Sequence, residues 1–314
     1  MLNLRHLLPL PQKTELSGKT ERDGLQFTMV ETDEKYEKWD LIILPKRGWF
    51  DLHLRDLWRY RDLMALFVKR DFVTFYKQTA FGPLWYIIQP LLTTVVFTVI
   101  FGRLAGIPMD GVPPFLFLLA GNVTWGYFAG CLNETSHTFV RNAGIFGKVY
   151  FPRLTVPVSV VIINLVKFGI QFALFLGFYI YFIARGSPVR PTSHILLLPV
   201  LLLQMAVLSL GVGILVSALT TKYRDLTFVM TFAVQLWMYA SSVIIPASAI
   251  PERYRPFYML NPMTSVIELF RYAFFSRGVV DVVYVGISWA VTLVILFGGI
   301  ALFSRVEKSF MDTV

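Results

Sequence analysis

The run LTVPVSVVIINLVKFGIQFALFLGFYIYFIA, residues 154–184, decides the fold. A helix rises about 1.5 Å per residue, so roughly 20 apolar residues cross a hydrocarbon core roughly 30 Å thick. This run exceeds that length and carries one formal charge, Lys167. Working outward, the segments 84–102, 112–132, 195–219, 226–245 and 282–303 are each near the same length, and none holds a charge well inside it. Six spans are therefore expected. Composition agrees: 55% of residues are hydrophobic, only 16% are charged, and mean hydropathy is +0.60. A soluble chain usually carries about a quarter charged residues.

Charge is unevenly placed. The first 83 residues hold 14 of the 29 Lys and Arg and 12 of the 20 Asp and Glu. A polar segment, 1–48, thus precedes a lead-in, 49–83, and a membrane domain, 84–314. The net charge of +9 sits mostly in loops flanking apolar helices, as membrane insertion favours, and is no sign of nucleic-acid binding. With the N-terminus placed in the cytosol, cytosolic segments hold 21 of the 29 basic residues. Lys69, Arg70 and Lys77 flank the first span on that side. Both termini are then expected in the cytosol. Pro9 and Pro11 break the short apolar run at the N-terminus, so it does not read as a cleavable signal.

Chemistry-bearing motifs are sparse. Cys131 is the only cysteine, and His6, His53, His137 and His194 show no ligand spacing, so no metal site is expected. Gly18-Lys19-Thr20 matches the end of a phosphate-cradling loop, but the glycine required five positions before Gly18 is Lys13. The chain therefore carries no ATPase motif, and energy must come from another polypeptide. Within the third span, Asn164, Lys167 and Gln171 fall at i, i+3 and i+7 and share a face. An ionisable residue at that depth faces a cavity or a partner. Two readings stand: contact with an anionic group in passage, or a structural role, either pairing with Glu134 near the base of the second span or snorkelling.

Three further segments are expected to be helical. From Asp51, Leu54, Leu57, Trp58, Met64 and Val68 recur at helical spacing opposite charged residues, which reads as an amphipathic helix at the membrane interface. The loop RNAGIFGKVYFPR, residues 141–153, has an apolar centre between basic ends and wants a surface to bury it. In the segment 250–277, Asn261 followed by Pro262 predicts a helix start, with helix to Phe275 and Glu268 paired with Arg271. Its apolar face, Val266, Leu269, Phe270, Ala273 and Phe274, is expected to dip into the outer leaflet. The class is an all-α polytopic membrane protein with an interface helix, a short cytoplasmic helix and a re-entrant external pair.

The most specific strings are Lys77-Gln78-Thr79 with Phe81-Gly82-Pro83-Leu84-Trp85, then Gln89-Pro90-Leu91 and Phe101-Gly102. Near the far end stand Asn261-Pro262-Met263-Thr264 and Glu268-Leu269-Phe270-Arg271-Tyr272. In these the chain, over about residues 50–314, resembles the permease subunit of ABC-2 type exporters. It is nearest the group exporting O-antigen, teichoic acid and capsular polysaccharide.

The resemblance implies a half-transporter of the bacterial inner membrane. A second copy of the chain and two separate ATPase subunits, which carry ATP and Mg, would complete it. It further implies that Asn142, Gly144, Ile145, Phe146, Gly147, Lys148, Val149, Tyr150 and Pro152 form a coupling helix docking into the ATPase. Glu252, Arg253, Asn261, Pro262, Glu268 and Arg271 would serve an external gate. The first and fifth spans would border a path for a lipid-linked glycan, with access from membrane lipid at the side. Trp85, Tyr86, Phe97, Phe101, Phe228, Phe232, Trp237 and Tyr239 would line it, with Lys167 beside them. An ABC-2 permease for a small lipid or drug shares this architecture. An ion-coupled secondary transporter would need carboxylates in mid-span, and none is found.

Overall fold

The computed structural model describes residues 54–77, 81–146, 148–149, 151–220, 223 and 225–310. The predicted segment 1–48, and Gly147 and Tyr150 of the expected coupling helix, lie outside them. The described residues form helices joined by loops and turns, with no strand among them. Two short helices, α1 (Leu54–Arg59) and α2 (Arg61–Lys77), stand where one interface helix was expected. The first spanning unit is Gly82–Leu104, in which α3 (Trp85–Phe97) continues into a wider π turn. Next come α4 (Pro114–Ser136), α5 (Thr138–Phe146), α6 (Thr155–Ala184) and α7 (Leu198–Thr220). The chain closes with α8 (Leu226–Tyr239), α9 (Arg255–Met259), α10 (Pro262–Phe275) and α11 (Val282–Phe310).

Among the described residues, five helical units are long and apolar enough to cross a membrane: Gly82–Leu104, Pro114–Ser136, Thr155–Ala184, Ser193–Thr220 and Val282–Val306. The fifth expected span, 226–245, is helical only as far as Tyr239. Fourteen residues rise about 21 Å, short of the roughly 30 Å core. The reason is that the backbone after Tyr239 has other partners. The Asn261 amide donates to the Ala240 carbonyl at 2.9 Å, the Arg271 guanidinium donates to the Val243 carbonyl at 2.8 Å, and the Tyr258 hydroxyl donates to the Ile245 carbonyl at 2.9 Å. A helix loses its ladder where tertiary donors claim its carbonyls.

Helix α4 is the central element, packing against α3, α6, α7, α8 and α10. Helices α7 and α11 pack over glycines. A Cβ on Gly211 would lie 2.8 Å from the Leu296 Cα, and one on Gly299 would lie 2.4 Å from the Gly211 carbonyl oxygen. Small residues of this kind let spanning helices approach backbone to backbone.

The apolar interior falls into two clusters. The larger follows α4, α6, α7 and α10. The smaller joins Phe67 of α2, Phe139 and Phe146 of α5, Phe151, Val156, Ile214, Ile300 and Phe303. That cluster marks one end of the bundle, called the near end below; α9 and α10 mark the far end. On α2 the buried anchor is Phe67, whereas Trp58, expected on the apolar face, is exposed.

Candidate functional site

Two ion pairs organise the molecule, one at each end. At the near end the spacing of α4 and α6 brings polar groups together inside the bundle. Asn122, Gly126, Gly130 and Glu134 recur every four residues on α4, opposite Asn164, Lys167 and Gln171 on α6. The Lys167 ammonium lies 2.6 Å from Glu134 Oε1, and the Asn164 amide donates to Glu134 Oε2 at 3.0 Å. Lys167 Nζ also sits 5.9 Å from the centre of the Tyr86 ring. The glycines make this approach possible. A Cβ on Gly130 would stand 2.6 Å from Asn164 Oδ1, and one on Gly126 would stand 3.3 Å from Gln171 Oε1.

The pair separates two chambers. The outer one, about 580 Å³, is lined by Arg70, Asp71, Thr74, Thr138, Arg141 and Asn142, among others, and reaches Tyr86, Glu134 and Lys167. The inner one, about 490 Å³, lies between α3, α4 and α6. Its lining includes Trp85, Gln89, Asn122, Trp125, Asn133 and Gln171, with the same Tyr86, Glu134 and Lys167. Lys167 and Glu134 are only partly exposed, 21% and 31% of their side chains, and stay within reach of both chambers.

At the far end the expected Glu268–Arg271 pair is present, with Nη1 to Oε1 at 3.8 Å, but both side chains are 1% exposed. Glu268 accepts from the Ser242 hydroxyl and from the backbone N–H groups of Ala247 and Val279 at 3.0 and 2.9 Å. Arg271 donates to the Ser242 hydroxyl and to the Val243 carbonyl, and lies 3.5 Å over the Phe117 ring. Burial draws the Arg271 guanidinium down to about 10, opposed by Glu268, so it stays charged at neutral pH. Gly121 leaves room for this contact, since a Cβ there would lie 2.7 Å from the Val243 carbonyl and 2.8 Å from Arg271 Nη2.

The α10 start is as read from sequence. Asn261 accepts from the Met263 N–H at 3.1 Å, and Pro262 opens the helix. The expected exposure to lipid is corrected. Val266, Leu269, Phe270, Ala273 and Phe274 are all buried, with α10 packed on α4, α7 and α11. A non-spanning helix at this depth is tolerated where protein surrounds it.

The other predicted residues divide. Trp85, Tyr86 and Lys167 meet at the inner chamber. Phe97 and Phe101 pair at 5.5 Å and pack on the larger core. Trp237 packs on Trp125 and Phe128 and donates to Asn261 Oδ1 at 3.0 Å. Phe228, Phe232 and Tyr239 stand exposed on α8, away from both chambers. Glu252 and Arg253 are exposed and do not join the Glu268–Arg271 network.

In the 141–153 loop, Phe146 is 3% exposed and stacked among Phe139, Phe151 and the Arg153 guanidinium. The apolar centre is thus buried largely by the chain itself. Asn142 and Ile145 are half-buried and line the outer chamber, and Pro152 is half-buried, while Gly144, Lys148 and Val149 are exposed. Sequence reasoning missed Asn122, Trp125, Ser242 and Gly121. The four-residue spacing of polar and small residues on α4 was the signal for the first; nothing local marks Ser242.

The sequence model of the ABC-2 type transporter family matches residues 63–275, more than half of the chain. The chain is 26% identical over 251 residues to the O-antigen export system permease protein RfbA of Klebsiella pneumoniae, an overlap covering 80% of this chain and 94% of that protein. It is 26% identical over 264 residues to RfbA of Myxococcus xanthus, covering 83% and 98%. Against the polysialic acid transport protein KpsM of Escherichia coli it is 25% identical over 250 residues, covering 79% and 95%.

Proposed function

Because this chain belongs to the ABC-2 type transporter family, we propose that it is the membrane permease of an exporter for a lipid-linked polysaccharide, driven by a separate ATPase. The observation that carries this reading is the likeness, along four fifths of the chain, to permeases named for O-antigen export and polysialic acid transport. The chain is a multi-pass membrane protein of the inner membrane. Its near end, where Arg70 and Arg141 line one chamber, faces the cytosol, and both termini lie on that side.

In this reading two copies pair and two ATPase subunits, carrying ATP and Mg, bind beneath them. Helix α5 and the exposed Gly144, Lys148 and Val149 meet the ATPase. Because Phe146 is locked into the smaller core with α2 and α11, a push on this loop moves those helices together rather than bending a free loop. The exposed rings Phe228, Phe232 and Tyr239 on α8 face the second copy or the glycan, and α8 counts as the fifth of six spans, continued across the outer leaflet by its following turns. The α9–α10 pair closes the outward mouth, with the buried Glu268–Arg271 pair holding it in place.

The test is reconstitution. The permease with its ATPase in proteoliposomes is expected to move a polyprenyl-linked saccharide to the opposite leaflet only with ATP and Mg. Movement by the permease alone on a proton or sodium gradient overturns the reading.

A further inference from the structure

We propose that the inner chamber between α3, α4 and α6 is a docking site for one sugar unit of a polyprenyl phosphosugar, with the phosphate held in the outer chamber. This rests on the export reading above. The chamber lies within one copy of the chain, apart from the exposed rings of α8.

Three observations carry it. The first is available polarity. Gln89 and Gln171 both line the chamber, and neither side chain makes a hydrogen bond among the described residues. Asn122, beside them, reaches the Pro90 carbonyl at 3.2 Å and the Thr94 hydroxyl at 3.3 Å. Gln89 is exposed and Gln171 half-buried on the chamber wall, so both amides stay available to water or to a polar ligand.

The second is the kind of wall. Amides offer both donors and acceptors, which suits hydroxyls that also do both. Trp85 and Trp125 add flat apolar surface, which suits the C–H face of a pyranose. A volume of about 490 Å³ lies within the range of small-ligand sites. Gly126 keeps that volume open, because any side chain there would grow toward Gln171.

The third is charge. In the inner chamber Lys167 and Glu134 face one another and cancel, which favours a neutral occupant. The outer chamber adds Arg70 and Arg141 against Asp71, an excess of one positive charge that favours a phosphate. The Lys167–Glu134 pair stands at the boundary, where the sugar–phosphate bond would lie.

The experiment measures binding of polyprenyl phosphohexose and of polyprenyl phosphate to the purified permease–ATPase complex, with ATPase stimulation as a second readout. Wild type is expected to prefer the phosphohexose by about tenfold, and Gln171→Leu and Gly126→Leu to abolish the preference without weakening polyprenyl phosphate. Gln171→Asn should retain part of the preference, and melting in the same detergent should be unchanged in both Gln171 variants and lowered in Gly126→Leu, whose side chain crowds α6. If wild type prefers the phosphohexose and both Leu variants keep that preference, this inference alone falls. Equal loss of both lipids in the Leu variants also overturns it, since the chamber would not then be reading the sugar. If wild type shows neither preference nor stimulation, the inference falls together with the saccharide-export reading.

Discussion

The two ion pairs have similar chemistry and opposite settings. Glu268–Arg271 is sealed at 1% exposure, and its groups are answered by backbone N–H groups, carbonyls and the Ser242 hydroxyl. Lys167–Glu134 is shorter, partly exposed and bordered by a chamber on each side. A sealed pair is a brace, because removing one partner strands the other in a dry interior. A half-open pair has solvent to fall back on, so it holds less of the fold and remains available to a passing group.

The comparison is tested most severely at Arg271. Arg271→Met should cost about 3–5 kcal/mol, read as a large drop in detergent melting temperature, because Glu268 is left buried without its partner. A melting temperature within a degree or two of wild type would make the brace an ornament. Gly121→Ala presses on the same brace from α4. Its Cβ enters the space of the Val243 carbonyl and Arg271 Nη2, and a loss of about 1–3 kcal/mol is expected in the same melt.

Lys167→Met should behave differently. Stability should change by about 1 kcal/mol or less, while ATP-driven export in proteoliposomes slows severalfold. Normal export with a marked loss of stability would place this pair with the brace instead. The smallest stability effect is expected at Val149, which is 58% exposed. Val149→Asp should leave melting within about 0.5 kcal/mol of wild type and reduce co-purification with the ATPase. Phe146→Asp, by contrast, strikes the smaller core and should unfold the near end before it informs on docking.

Much of this was legible in the chain. Runs of apolar residues long enough to span set the helical membrane architecture, because hydrocarbon leaves the backbone few other choices. The Asn261-Pro262 cap and the i, i+3 spacing of Glu268 and Arg271 were local signals and stand as read. The α4 polar stripe was equally local but went unread, since its residues look like packing positions until α6 is set opposite. Trp58 and Phe67 show the limit of periodicity: both fit an apolar stripe, and only packing on α5 and α6 decides which is covered.

Sequence alone determined that this is a bundle of apolar helices with a basic end and one charged residue in mid-span, because transfer free energies act on each residue where it stands. Tertiary structure alone decided that α8 stops at Tyr239, that α10 enters protein rather than lipid, and that Lys167 meets Glu134 between two chambers. Each of those depends on which side chain claims a carbonyl, a carboxylate or a cavity from far along the chain, and no spacing along one strand of sequence encodes that distance.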